Sequence, residues 1–220
     1  MTTLELIQEV GSWKLGGIYT DESAANTQSR LLNLINSARL KVLSMYYLAE
    51  GHVPQAYFQR FEITNVWAED CPGSFVFKCP TIATLPPPKM NGLDGLFPNC
   101  DSSIILTGVS SEQQLRSYKQ HSMMKYLASQ GVFVRTGNEF RGVMKGGKTP
   151  SKFLIRAVFS QPHLVPNLNL EYDPYPAPDG FISDMKKLID SDEGRRFMMI
   201  TDQISNSKSD VEDARLAPNR

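Results

Sequence analysis

Leu31, Leu34, Ile35, Ala38, Val42 and Met45 recur at steps of three and four, while Asn26, Arg30, Asn33, Ser37, Lys41 and Ser44 fill the other side. That period predicts an amphipathic helix. No Gly or Pro interrupts Asp21 to Glu50; Asp21 is placed to cap it and Gly51 follows it. Unbroken, the helix is about 40 Å long at ~1.5 Å per residue. A shorter helix precedes it over residues 3 to 11. Thr2 and Glu5 have capping-box spacing, Leu4, Leu6, Ile7 and Val10 supply an apolar side, and Gly11 and then Gly16-Gly17 are expected to stop it.

The character changes after Val53. "FEITNVW", "SFVFKC" and "SSIILTG" are short β-branched or apolar runs in Pro- and Gly-rich surroundings, which predicts short strands joined by loops. Pro86-Pro87-Pro88 begins a long loop expected to reach Asn99. Residues 111–129 predict a third helix, with Leu115, Tyr118, Met123, Tyr126 and Leu127 on one side. Val132-Phe133-Val134, a Gly137-Asn138 turn, "EFRGVM", the turn "KGGKTP" and "SKFLIRAVF" together predict a three-stranded β-meander. A Pro-rich stretch then reads as an extended linker. Asp179 starts a helix with Phe181, Ile182, Met185, Leu188 and Ile189 on one face, and after Ile200 the chain is polar, as in tails that order only on a partner.

The expectation is therefore an α+β protein: long amphipathic helices, an inserted β-meander or small β-rich subdomain, and an extended C-terminal arm. Residues 1–52 with 107–130 form the helical part, 53–106 with 131–165 the β-rich part, and 166–220 the linker, helix and polar tail.

Composition narrows the function. The chain has 220 residues, 41% hydrophobic and 21% charged, enough for a real core. Lys+Arg and Asp+Glu both number 23, so no bulk charge draws the protein to nucleic acid or anionic membrane. No apolar run approaches the ~18 residues of a membrane span, and the N-terminus lacks the form of a secretion signal. A soluble protein made in the cytoplasm is expected, with Cys71, Cys79 and Cys100 as reduced thiols. Cys71 and Cys79 flank an apolar run and are expected to be half-buried, on neighbouring strands. His52, His121 and His163 are isolated, so no metal site is assigned.

Candidate chemistry centres on "GVMKGGKT", Gly142 to Thr149, which fits the phosphate-loop pattern G-x-x-x-x-G-K-[ST]. A working phosphate loop is followed by a helix whose N-terminus helps hold the phosphates. Here Pro150 and a strand-like run, Phe153 to Phe159, follow instead. The loop therefore reads as a hairpin turn, with Gly142, Gly146 and Gly147 supplying positive φ. No nucleophile elbow or Cys–His pair is found. Glu69-Asp70 and Asp190-Ser191-Asp192-Glu193 read as solvated charge, and Trp13 and Trp67 as packing anchors. Phe133, Arg135, Phe140 and Arg141 form the one aromatic-basic cluster, which on a hairpin is expected to be core plus solvated charge rather than a stacking platform for nucleic acid. No catalytic, cofactor-binding or metal-binding residue is assigned.

The order of elements, with "YTDESAANTQSRLLNLINSARLKVLSMYY" and its core Arg30-Leu31-Leu32-Asn33-Leu34-Ile35-Asn36, resembles the head–tail connector proteins of short-tailed bacteriophages, also called adaptor, neck-ring or tail-tube A proteins. "YDPYPAPDGFISDMKKLI" with its Ser/Asn/Asp tail is similar to the ring proteins of crAss-like phages. The resemblance covers about a third of the chain and implies a non-enzymatic virion protein: a homo-oligomeric ring, twelve-fold, under the portal, touching the portal protein and the next neck or tail ring. DNA would pass the channel without sequence-specific binding, no membrane would be involved, and the C-terminal helix and tail would reach the portal or a neighbouring subunit. The beta-meander departs from the plainer helical connectors. Two other readings stay open: a nucleotide hydrolase using Gly142–Thr149, and a non-viral module binding a peptide or oligonucleotide.

Overall fold

The expected capping box forms: Thr2 N–H donates to Glu5 Oε2 at 2.8 Å and Glu5 N–H to Thr2 Oγ1 at 3.2 Å. It opens helix α1 (Thr3–Leu15) of the computed structural model, which describes residues 1–15, 24–69, 71–85, 92–120, 130–166 and 168–191. Gly11 does not end α1. It lies buried inside the helix, beside Leu6, Ile7 and Val10, whose packing outweighs the ~1 kcal/mol that an interior glycine costs.

Helix α2 (Ala24–Glu50) is the long amphipathic element; the expected cap, Asp21, lies outside the described residues. Leu31, Leu34, Ile35, Ala38, Val42 and Leu43 are buried against α1 and the last helix. What remains exposed is a narrow stripe stepping by three and four: Ser29, Asn33, Ser37, Lys41, Met45 and Leu48. Met45, expected in the core, is on this stripe.

Among the described residues seven strands form two sheets. β1 (Gln59–Ile63), β7 (Phe153–Ala157) and β3 (Leu93–Pro98) make one, with β7 central. β2 (Ser74–Lys78), β6 (Glu139–Met144), β5 (Gly131–Thr136) and β4 (Thr107–Gly108) make the other, in that order. All pairs are antiparallel except β4–β5. A phenylalanine cluster fills the space between the sheets. Phe75 and Phe77 of β2 lie with ring centroids 4.5 and 5.0 Å from Phe153 of β7, and Phe140 stacks on Phe77 at 5.1 Å. This is a face-to-face sheet packing.

The mixed α+β class holds, but three strand expectations change. The meander stops after two strands: β5 and β6 form a hairpin through Gly137-Asn138, with Gly137 at φ 61, and β7 crosses to the other sheet. Phe153 and Ile155 thereby reach the interior that Phe75 and Phe77 face. "LDGLFP", expected as loop, is β3. Its Gly95 sits at a register irregularity, and a Cβ there would lie 2.6 Å from the Phe97 ring, so the residue that weakens the strand signal is the one that lets the strand pack. "SSIILTG" contributes only the two residues of β4.

Helix α3 (Glu112–Gln120) packs through Leu115 on Val132, Val134 and Val143 of the four-stranded sheet; expected residues Met123, Tyr126 and Leu127 lie outside the described residues. Helix α4 (Asp179–Asp190) buries Ile182, Met185 and Ile189 in the core of α1 and α2. The Pro-rich stretch before α4, expected as a linker, is part of that core. Leu4 N–H donates to Leu170 C=O at 2.9 Å, Tyr175 N–H to Met1 C=O at 3.0 Å, and Tyr175 and Ala177 are buried.

Candidate functional site

Gly142–Thr149 runs from the middle of β6, through a turn, to the approach of β7. Gly146 and Gly147 carry the positive φ values expected, 95 and 71. Gly142 has a different role. It lies within β6 between Phe75 of β2 and Phe133 of β5, and a Cβ there would lie 2.2 Å from the Phe75 ring and 2.5 Å from Val132 C=O. The hydroxyl that a phosphate loop reserves for a metal-bound phosphate is engaged here: Thr149 Oγ1 donates to Ser74 C=O at 2.8 Å. Lys148 is exposed. A strand follows the loop where a phosphate loop leads into a helix N-terminus.

The aromatic-basic cluster is divided between interior and surface. Phe133 and Phe140 are buried in the sheet core. Arg135 donates to Gly137 C=O at 2.8 Å and Ile82 C=O at 3.1 Å, and Arg141 pairs with Glu139 at 2.5 Å. Neither ring is available to stack on a base. Glu69 pairs with Lys119 at 2.6 Å, while Asp70, Asp192 and Glu193 lie outside the described residues. Among the described residues no group of three or more His, Cys, Asp or Glu is placed to hold a metal ion, and no helix is long and apolar enough to cross a membrane.

The cysteines differ sharply. Cys71 and Cys79 lie at the two ends of β2, not on neighbouring strands. Cys71 is exposed and Cys79 buried. Burial pushes the Cys79 thiol up to about 12, and it donates to Pro80 C=O at 3.1 Å. Burial and then the Glu62 carboxylate also raise Cys100. Because the thiolate is the reactive form, Cys71 is expected to take up a disulfide reagent at pH 8 at least ~100-fold faster than Cys79, which reacts after unfolding. Peptide mapping of a labelling time course checks this; labelling of Cys79 at the Cys71 rate would contradict the buried thiol.

Sequence patterning left one feature unassigned. Arg39, in the middle of α2, is wholly buried. Its Nε donates to Pro176 C=O at 2.9 Å, one terminal nitrogen to Phe159 C=O at 2.8 Å, and the other to Tyr57 C=O at 3.3 Å. The guanidinium carbon lies 5.2 Å from the Tyr57 ring centre and 5.9 Å from that of Tyr175. Burial lowers its pKa, and burial pushes Tyr57 up to about 12, so the adjoining phenol is neutral. Asn36 extends the network: it accepts from Tyr175 Oη at 2.9 Å, and its Nδ2 lies 3.3 Å from His163 Nδ1. One arginine thus ties α2 to the exit of β7, the turn before β1 and the stretch before α4.

The surface carries large apolar side chains in separate places. Met45 and Leu48 stand out from α2, while Trp67, beside β2, and Ile105, before β4, stand out from the sheets; each is more than half exposed. Trp13, on α1 with Lys186 over its ring at 5.6 Å, is also more than half exposed. Neither tryptophan is a buried packing anchor. No protein-family model matches the chain, and no curated protein matches it either.

Proposed function

We propose that this chain is a structural subunit of a ring in the head–tail connector of a short-tailed bacteriophage, seated below the portal and surrounding the DNA channel. The observation that carries the ring is the distribution of exposed apolar side chains. A closed ring built by head-to-tail contacts needs two different surfaces per subunit. Met45 and Leu48, one turn apart on α2, supply one on the helices, and Ile105, at the β4 edge of the four-stranded sheet, lies on another. Neighbouring exposed apolar side chains rimmed by polar residues, as Met45 and Leu48 are, suit a contact site. The connector assignment itself rests on the sequence resemblance of residues 19–47 and 172–189.

Two further features support it. A net charge of zero suits a wall past which DNA slides, because each neutralised phosphate adds affinity and salt-dependent drag. The Arg39 network joins α2 to the segments beside β7, β1 and α4 through buried hydrogen bonds, which suits a subunit that must hold its shape in a ring. Twelve copies, contact with the portal, and contact with an adjacent neck or tail ring follow from the resemblance.

Native mass spectrometry of the protein, alone and with the portal protein encoded near it, tests the reading. The expected result is addition to the portal in a fixed ring stoichiometry. A protein that ignores the portal removes the connector assignment, and titrations with ATP and single-stranded DNA then separate the two other readings.

A further inference from the structure

The two sheets leave a gap at one edge. Asn99 and Cys100, at φ 52 and 59, turn the chain after β3, and it returns toward β4. The two arms meet at one rung, Leu106 N–H to Leu96 C=O at 3.0 Å. Beyond that rung they part, because β3 belongs to the sheet of β7 and β4 to the sheet of β5. Between them lies a groove of about 650 Å³, floored by Leu96, Leu106, Val109 and Phe133 and rimmed by Ile105.

The walls of this groove are strand edges. Val109 N–H donates to Phe133 C=O at 2.7 Å, so on β4 the N–H and C=O of the preceding residue, Gly108, point away from β5. On β3, Leu96 C=O points away from β7 but is taken by Leu106 N–H, so the open edge is that of β4. Inward charges are a common device against an added strand. Both charged residues in the lining are engaged within the chain: Asp94 by Arg156 at 3.1 Å, and Arg135 by Gly137 C=O at 2.8 Å and Ile82 C=O at 3.1 Å. The groove presents the backbone N–H and C=O of Gly108 over an apolar floor, and an added β-strand binds through such edge groups.

We infer that this groove binds the C-terminal segment of a second copy of the chain as an added strand, with Phe197-Met198-Met199-Ile200 over the apolar floor. Twenty-nine residues follow Ser191, the last described residue (220 − 191). At ~3.3 Å per residue they span up to about 95 Å, ample to reach a neighbour. Phe197–Ile200 is the longest unbroken apolar run in those 29 residues. The helical core next to α4 is closed by α4's own Ile182, Met185 and Ile189. Placing the segment in a second copy rests on the ring reading, since a tail-to-groove contact is head-to-tail and closes a ring.

The test uses the full-length chain at low concentration and a fluorescent synthetic peptide of residues 192–204, followed by anisotropy. Saturable binding is expected. Ile105→Asp, at an exposed position where folding tolerates the change, should weaken it by more than about tenfold, and Leu164→Asp, an exposed apolar residue away from the groove, should not. No binding, equal binding by Ile105→Asp, or equal binding of a scrambled peptide overturns the inference. Because the peptide needs no ring, ring formation on the portal without peptide binding removes this inference alone. Peptide binding without a ring removes the connector reading and with it the second copy, and leaves the groove as a seat for the chain's own segment.

Discussion

Replacing Arg39 with alanine is expected to lower the unfolding free energy by roughly 4–5 kcal/mol, at the upper end of single substitutions. Three losses act together. The side chain is wholly buried, so alanine leaves a cavity. The carbonyls of Tyr57, Phe159 and Pro176 lose donors at 2.8–3.3 Å, and a hydrogen bond to a charged group contributes about 1.5–3 kcal/mol. The rings of Tyr57 and Tyr175 lose the cation between them. For a chain of this size 1 kcal/mol corresponds to about 2–4 °C, so the midpoint should fall by roughly 10–15 °C. Arg39→Lys should also destabilise, by about 2–3 kcal/mol, because one ammonium cannot span three carbonyls that the planar fork reaches. Urea unfolding of the variants decides: a loss below about 1 kcal/mol in Arg39→Ala would mean that the network does not hold these segments together.

Arg39 also shows where sequence reading reaches its limit. Leu32, Asn36, Arg39 and Leu43 step by four, three and four along one face of α2. The spacing puts Asn36 and Arg39 on a buried face between two leucines, but a period cannot say what satisfies them. Apart from Tyr57, their partners, Phe159, His163, Tyr175 and Pro176, lie more than a hundred residues away. Local patterns fared better. The capping box at Thr2, the Gly137-Asn138 turn and the apolar face of α4 depend on neighbours in sequence, and each is present as read. The β-meander failed for a non-local reason, since nothing near "SKFLIRAVF" tells which sheet it joins. The strand Leu93–Pro98 was hidden by its own Gly95. The candidate groove escaped notice because it is made by two strands parting, a property of the topology rather than of any residue run.

Gly142→Ala and Lys148→Ala, made in parallel, are expected to separate folding from phosphate binding. In a phosphate loop both residues face the ligand, so either change weakens nucleotide binding while the fold survives. The turn observed here carries the chain from β6 to β7 in the other sheet, so it is not the hairpin expected, and within it the two positions have nothing in common. An added Cβ at Gly142 would lie 2.2 Å from the Phe75 ring and 2.5 Å from Val132 C=O. The ring cannot yield, being fully buried with its centroid 4.5 Å from that of Phe153 and 5.9 Å from that of Phe77. The carbonyl is backbone of the adjacent strand, so β6 itself must shift. Overpacking of this kind costs about 1–3 kcal/mol, and with the displaced sheet a loss of roughly 3 kcal/mol is expected, or about 6–12 °C in midpoint. Lys148 is exposed on the turn, and its replacement should change stability by less than about 0.5 kcal/mol. Thermal unfolding with and without ATP and magnesium reads both effects at once. A purely structural turn requires a large drop for Gly142→Ala, none for Lys148→Ala, and no shift with ATP in either or in the parent. An ATP-dependent stabilisation of the parent that vanishes in Lys148→Ala would instead make the loop a nucleotide site and replace the structural reading with an enzymatic one.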